Sequence, residues 1–169
     1  LISAFTLINN TLIATLFFIT GISQLIRWLR WKPWITHTVP LLWSLHGAIK
    51  FMWLGLISLS FCYITPAIPK NHLWHLIAIG AIGGIILAMI SRVSLGHTGR
   101  ALCTHHSMSI AFLLISVSAI VRSIGPWINP ENTQLFIYAS GLMWIISFLV
   151  FLVNYYPMFT KARVDGRPG

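Results

Sequence analysis

Imidazoles set in or beside apolar runs mark where this chain can bind something reactive. His46 lies in the stretch Val39 to Phe61, and Lys50 follows four residues later. At helical spacing they share a face with Trp43, Trp53 and Ile57. A neutral imidazole is the commonest side-chain metal ligand, and a nearby ammonium suits an acidic group on a bound molecule. A second pair occurs in His72-Leu73-Trp74-His75, where the next apolar run begins. A third imidazole lies where that run ends, in Arg92-Val93-Ser94-Leu95-Gly96-His97-Thr98-Gly99-Arg100. Gly96 is expected to stop the helix in the left-handed conformation, and Gly99 to allow a second change of direction. Such a turn holds His97 and Arg100 close to Arg92. It serves a metal ligand, an anion cradle or an anchor on lipid phosphates, and the residues leave these uses open. Bland alternatives stand beside the other two sites. His46 can bond a neighbouring helix while Lys50 snorkels, and His75 can be an interfacial residue beside Trp74. His37 is expected to lie solvated in a connection and take no part.

Several chemistries lack their parts. Glu131 and Asp165 are the only acids, so a catalytic carboxylate pair and an intramembrane acid for proton-coupled transport are both missing. There is no phosphate-binding loop and no Gly-x-Ser-x-Gly elbow. Cys62 and Cys103 form no Cys-x-x-Cys motif, and the five methionines are scattered. The net charge of +9 comes from residues between apolar runs, so it sets topology and does not form a nucleic-acid surface.

The elements that must hold these residues are membrane helices. Charged residues make up 8% of the chain and mean hydropathy is +0.83, whereas a soluble domain carries about 25% charged residues. Strand alternation is absent, and in lipid a helix satisfies its own backbone. The expected fold is all-α, a polytopic transmembrane bundle forming one domain over residues 1–169. Five spans are expected near Ile2–Ile22, Val39–Phe61, Leu73–Leu95, Ser107–Ile124 and Thr133–Tyr155. Pro33, Pro40, Pro66, Pro69, Gly125, Pro126 and Pro130 mark the breaks, and Asn71, Thr104 and Asn132 are expected N-caps. In the third span Gly80, Gly84 and Ala88 form a small-residue ridge for close packing. His75 is expected on the opposite face, with Ile79, Ile82, Ile86 and Val93. Alternating connections put Arg27, Arg30, Lys32, Arg92, Arg100, Lys161, Arg163 and Arg167 on one side, against Lys70 and Arg122 on the other. That asymmetry makes the first side cytoplasmic, with the N-terminus of the chain outside and the C-terminus inside. Cys62 then ends a span outside and Cys103 precedes one inside, too far apart for a disulfide.

Arg27-Trp28-Leu29-Arg30-Trp31-Lys32-Pro33-Trp34, Pro40-Leu41-Leu42-Trp43-Ser44-Leu45-His46 and above all His75 through Arg100 resemble the NnrS family. Val121-Arg122 and the tail Arg163 to Gly169 fit its final segments. Lys50 departs from the pattern, standing near where an aromatic residue is expected. The family's greater number of helices implies that this chain is the C-terminal part of a longer protein and meets missing N-terminal helices. The resemblance implies a bacterial inner-membrane protein that binds haem and copper, acts in the nitric oxide response and protects from nitrosative stress. Nitric oxide or a nitrosyl-iron species, together with the lipid bilayer, are the implied partners. His46, His75 and His97 are the expected metal ligands, and Lys50, Arg92 and Arg100 the expected cations around the cofactor. The competing readings are a non-haem multi-span transporter and a structural membrane subunit. His46 and His75 are expected to differ in depth by about 15 Å at 1.5 Å per residue, so each needs its own site.

Overall fold

The computed structural model describes residues 2–65 and 69–166, with side chains from residue 9 onward. Pro66 of the second connection and Arg167, Pro168 and Gly169 of the tail lie outside the described residues. The described residues form five long helices and no strand: α1 (Ile2–Arg30), α2 (Pro40–Ile64), α3 (Lys70–His97), α4 (His106–Ile128) and α5 (Thr133–Phe159). All five are long and apolar enough to cross a membrane. Short 3-10 turns at Pro33–Thr36 and Pro130–Asn132 lead into α2 and α5.

Several boundaries differ from expectation, and three of the differences have a local reason. First, α1 continues past Ile22 to Arg30, because Leu25 to Arg30 holds good helix formers and no breaker. It ends where Lys32 turns left-handed (φ 49°) ahead of Pro33. Trp28 therefore sits on a helix, and its indole reaches α2. Second, the N-cap of α4 is His105, whose ring accepts from the Ser107 N–H at 3.3 Å. Thr104 Oγ1 is buried without a partner. Third, α4 runs through Gly125 and Pro126 to Ile128. Pro126 has no N–H to give the Arg122 carbonyl, so α4 lacks that ladder bond in its last turn.

The central element is α3. It packs on α2 through small residues: a Cβ built on Gly80 would lie 2.5 Å from Phe51 Cγ, and one on Gly84 would lie 3.0 Å from Ala48 Cβ. Gly55 of α2 returns the contact against Ile77. Close approach at such positions is how membrane helices gain van der Waals contact without a hydrophobic driving force. On its other side α3 meets α4, where Leu87, Ala88, Leu95, Met108, Ala111, Phe112 and Ile115 join Leu41, Phe151 and Tyr155 in one buried cluster. Helices α4 and α5 are tied by Ser118 Oγ donating to the Ser140 carbonyl (2.8 Å) and by Asn154 Nδ2 donating to Ser107 Oγ (3.0 Å).

Residues 76–83 of α3 form a π-helix. Its wider turn changes which residues share a face. The exposed stripe runs Trp74, Ala78, Ile82 and Ile86, then Met89 and Val93. It steps by four residues where an α-helix would step by 3.6. Trp74, and not His75, therefore lines up with Ile82 and Ile86, while His75 sits one residue round and half-buried.

Candidate functional site

At the Pro40 end of the bundle, His46 lies six residues into α2. Its backbone carbonyl accepts from Trp28 Nε1 of α1 at 2.8 Å. The Trp31 ring lies edge-on to the imidazole at 6.1 Å. His46 Nδ1 is buried and has no hydrogen-bond partner. The imidazole borders a cleft of about 440 Å³, walled by Trp28, Trp34 and Trp43 and lined also by His37 and Lys50. The expected stripe on α2 thus divides between two neighbours. Trp43 packs edge-on against Phe112 of α4 at 5.9 Å, while Trp53 meets Trp28 of α1 at 5.8 Å. Trp53 Nε1 is a second buried donor without a partner.

Lys50 is exposed in mid-helix, its Nζ 5.5 Å from the Phe51 ring centroid. It also borders a second, apolar groove of about 470 Å³ lined by Leu54, Phe61, Leu73, Leu76 and Trp127. The ion pair found among the described residues joins Arg163 to Asp165, far along the chain from Lys50.

At the opposite end, the start of α3 carries two oriented imidazoles. His75 Nδ1 lies 3.1 Å from the Asn71 carbonyl and 3.3 Å from that of His72. A carbonyl only accepts, so the proton sits on Nδ1 and the lone pair is left on Nε2. A ligating histidine is held in the same way, with its other N–H given to a backbone carbonyl. Arg122 of α4 donates from a terminal guanidinium nitrogen to His72 Nδ1 at 3.3 Å. That bond makes His72 a neutral imidazole with its proton on Nε2.

The two histidine-bearing ends lie far apart. Pairing of Gly55 with Ile77, Phe51 with Gly80 and Ala48 with Gly84 puts His75 level with about residue 57 of α2, roughly 16 Å from His46 along the axis at 1.5 Å per residue. One iron cannot be ligated by both.

The turn after α3 differs from expectation at its first glycine. Gly96 is helical, with nothing within 4 Å of a built Cβ, and the helix runs on to His97. Gly99 takes the left-handed conformation, with φ +71°. The Arg100 N–H donates to the Leu95 carbonyl (2.9 Å) and the Gly99 N–H to that of Gly96 (3.2 Å), which is the Schellman pattern. The tail closes over this turn. The Val164 N–H donates to the Thr98 carbonyl at 3.3 Å, and a Cβ on Gly99 would meet the Asp165 carboxylate at 2.8–3.0 Å. His97 is exposed, Arg92 and Arg100 are half-buried, and Arg100 reaches the Thr98 carbonyl at 3.5 Å.

Of the expected residues, the fold gathers His46 and Lys50 at one cleft. His75 stands at the far end of α3, and the His97 turn at the other end. Two residues were missed. His37 lines the His46 cleft, a placement that no helical period could reveal for a residue in a connection. Arg122 joins His72 across 50 positions of sequence; its presence inside an apolar run was the signal available.

The family model for the NnrS protein matches residues 1–163. No curated protein and no solved structure matches. The matched region takes in all five helices, both histidine-bearing ends and the Gly99 turn, and the chain belongs to the NnrS family.

Proposed function

We propose that this chain is a haem-binding protein of the bacterial inner membrane that acts in the nitric oxide response and in protection from nitrosative stress. Family membership supports the role. The observation that carries the cofactor reading is the buried, unpartnered His46 Nδ1 beside a cleft with three indole walls. Leaving a buried polar atom unpaired costs about 1–3 kcal/mol, which binding to an iron would offset. Flat aromatic walls with a few convergent polar groups suit a planar ligand.

The donor set fits a macrocycle and not a bare ion. A porphyrin brings four nitrogens of its own, so one or two imidazoles complete the iron. A protein-built copper or zinc centre draws on about three or more side chains. Among the described residues no group of three His, Cys, Asp or Glu converges, so copper has no complete donor set there. Bound haem would supply an iron that takes up nitric oxide. The chain's own part would be to ligate through His46 and to border the ring with Trp28, Trp34 and Trp43. The basic connections would face the cytoplasm and place this cleft near the inner leaflet.

A visible spectrum of the purified protein, before and after nitric oxide, tests the reading. Haem content is expected to fall sharply in His46→Ala and to persist in His105→Ala. Equal haem content in both variants would make His46 a packing residue. A protein that neither carries haem nor takes up added haemin would favour the transporter or structural readings.

A further inference from the structure

His37 and His46 line one cleft, and no other histidine, cysteine or methionine lines it. His37 is exposed, and its ring is oriented by one hydrogen bond. Its Nδ1 lies 2.8 Å from the Trp34 carbonyl oxygen, which can only accept, so the proton is on Nδ1 and Nε2 keeps its lone pair. A backbone carbonyl holding the far N–H fixes the tautomer and raises the basicity of the free nitrogen, as in ligating histidines generally. The segment that carries His37 is itself pinned. Pro33 opens the 3-10 turn, Pro40 opens α2, and Thr36 Oγ1 donates back to the Pro33 carbonyl at 2.7 Å. Trp34 supplies both the orienting carbonyl and one indole wall of the cleft. His46 lines the same cleft and carries a buried, unpartnered Nδ1.

We infer that His37 is the second protein ligand of this cleft, completing with His46 a bis-imidazole site for a metalloporphyrin. This rests on the haem reading above, which needs only His46. Two imidazoles are too few for a protein-built metal centre and sufficient for an iron already held by four porphyrin nitrogens. The pairing also accounts for the depth gap between His46 and His75, since neither has to reach the other.

The test is titration of the detergent-purified protein with haemin, read by visible absorption and electron paramagnetic resonance. The wild-type protein is expected to give a six-coordinate low-spin spectrum. His37→Ala is expected to keep its haemin, lose the low-spin signal for a high-spin one, and regain it when imidazole is added. His46→Ala is expected to lose most of the haemin. A low-spin spectrum that survives in His37→Ala, or a wild-type spectrum that is already high-spin, would overturn the role of His37 and leave His46 as the ligand. Loss of the low-spin signal in Lys50→Met but not in His37→Ala would also overturn it, assigning the position to the amine. No haemin uptake by the wild-type protein would remove the haem reading itself.

Discussion

Alanine at Gly99 and alanine at Gly96 are expected to move stability in opposite directions. Gly99 sits at φ +71°, where an L side chain costs about 1–2 kcal/mol. Its Cβ would lie 2.8 Å from Asp165 Cγ and 3.0 Å from both carboxylate oxygens. Relieving that overlap means lifting the tail off the turn, at a further cost of about 1 kcal/mol, the low end for overpacking, because the neighbour is a side chain. Alanine restricts the unfolded chain and returns about 0.4–1 kcal/mol. The net loss is about 1–2.5 kcal/mol, or roughly 2–10 °C in Tm at the 2–4 °C per kcal/mol typical of this size. Gly96 is helical with open space around it, so alanine there is expected to be neutral or to add up to about 1 kcal/mol. The buried Cys62 thiol reports unfolding to a thiol-reactive dye once the exposed Cys103 is replaced by serine. Adding Asp165→Ala to Gly99→Ala should recover the overlap part and leave the backbone part. Equal destabilisation by the two glycine variants would refute the assignment of Gly99 as the helix stop.

Cys103 is expected to react with an impermeant thiol reagent from the cytoplasmic side, whereas Cys62, 1% exposed and bonded to the Ser58 carbonyl, should react only after denaturation; labelling of Cys103 from outside would reverse the topology. Gly80→Leu should lower Tm and disturb haem binding, because the added side chain must displace the Phe51 ring that borders the His46 cleft. The effects of His46→Ala and His75→Ala on haem content should be additive, since their levels differ by roughly 16 Å at 1.5 Å per residue; identical, non-additive losses would mean a shared site.

The helices were legible because composition and proline placement act locally. An apolar run between prolines has few alternatives in lipid, and all five spans appear where the runs lie. The Gly80, Gly84 and Ala88 ridge was legible for the same reason: in a membrane, small residues at a spacing of four mean a close neighbour. What escaped depended on events with no residue signature. Leu76 to Gly83 is apolar all round, so nothing in it distinguishes an α turn from a π turn, and the face containing His75 was misread by one residue. Gly96 and Gly99 are chemically identical, and only the backbone bonds around Thr98 separate helix interior from stop. His37 is exposed, as its place in a connection led us to expect, yet it also borders the cleft. Which residues share that cleft depends also on α4, whose Leu113 and Ser116 line it and lie far off in sequence.

The wide turn in α3 gives the helix two independent phases. Each four-residue step from Trp74 to Ile86 holds back about 40° relative to an α-helix, so the segment as a whole retards the Lys70 end by about 120°, slightly more than one residue's rotation. The segment thus holds about one residue more than an α-helix of the same rotation would. Beyond the segment, the Gly84 and Ala88 face keeps its fit to α2 and α4. Before it, His72 keeps its bond to Arg122 and His75 its bonds to the backbone. Removing one residue from 76–83 would let the segment relax to α geometry with little change in length: the lag of about 120° and the lost rotation of about 100° nearly cancel, so His72 and His75 would turn by only about 20° relative to Arg122. A one-residue deletion is therefore absorbed within this otherwise featureless apolar stretch, whereas the same deletion in an α-helical part of α3 would turn one flank by about 100° against the other.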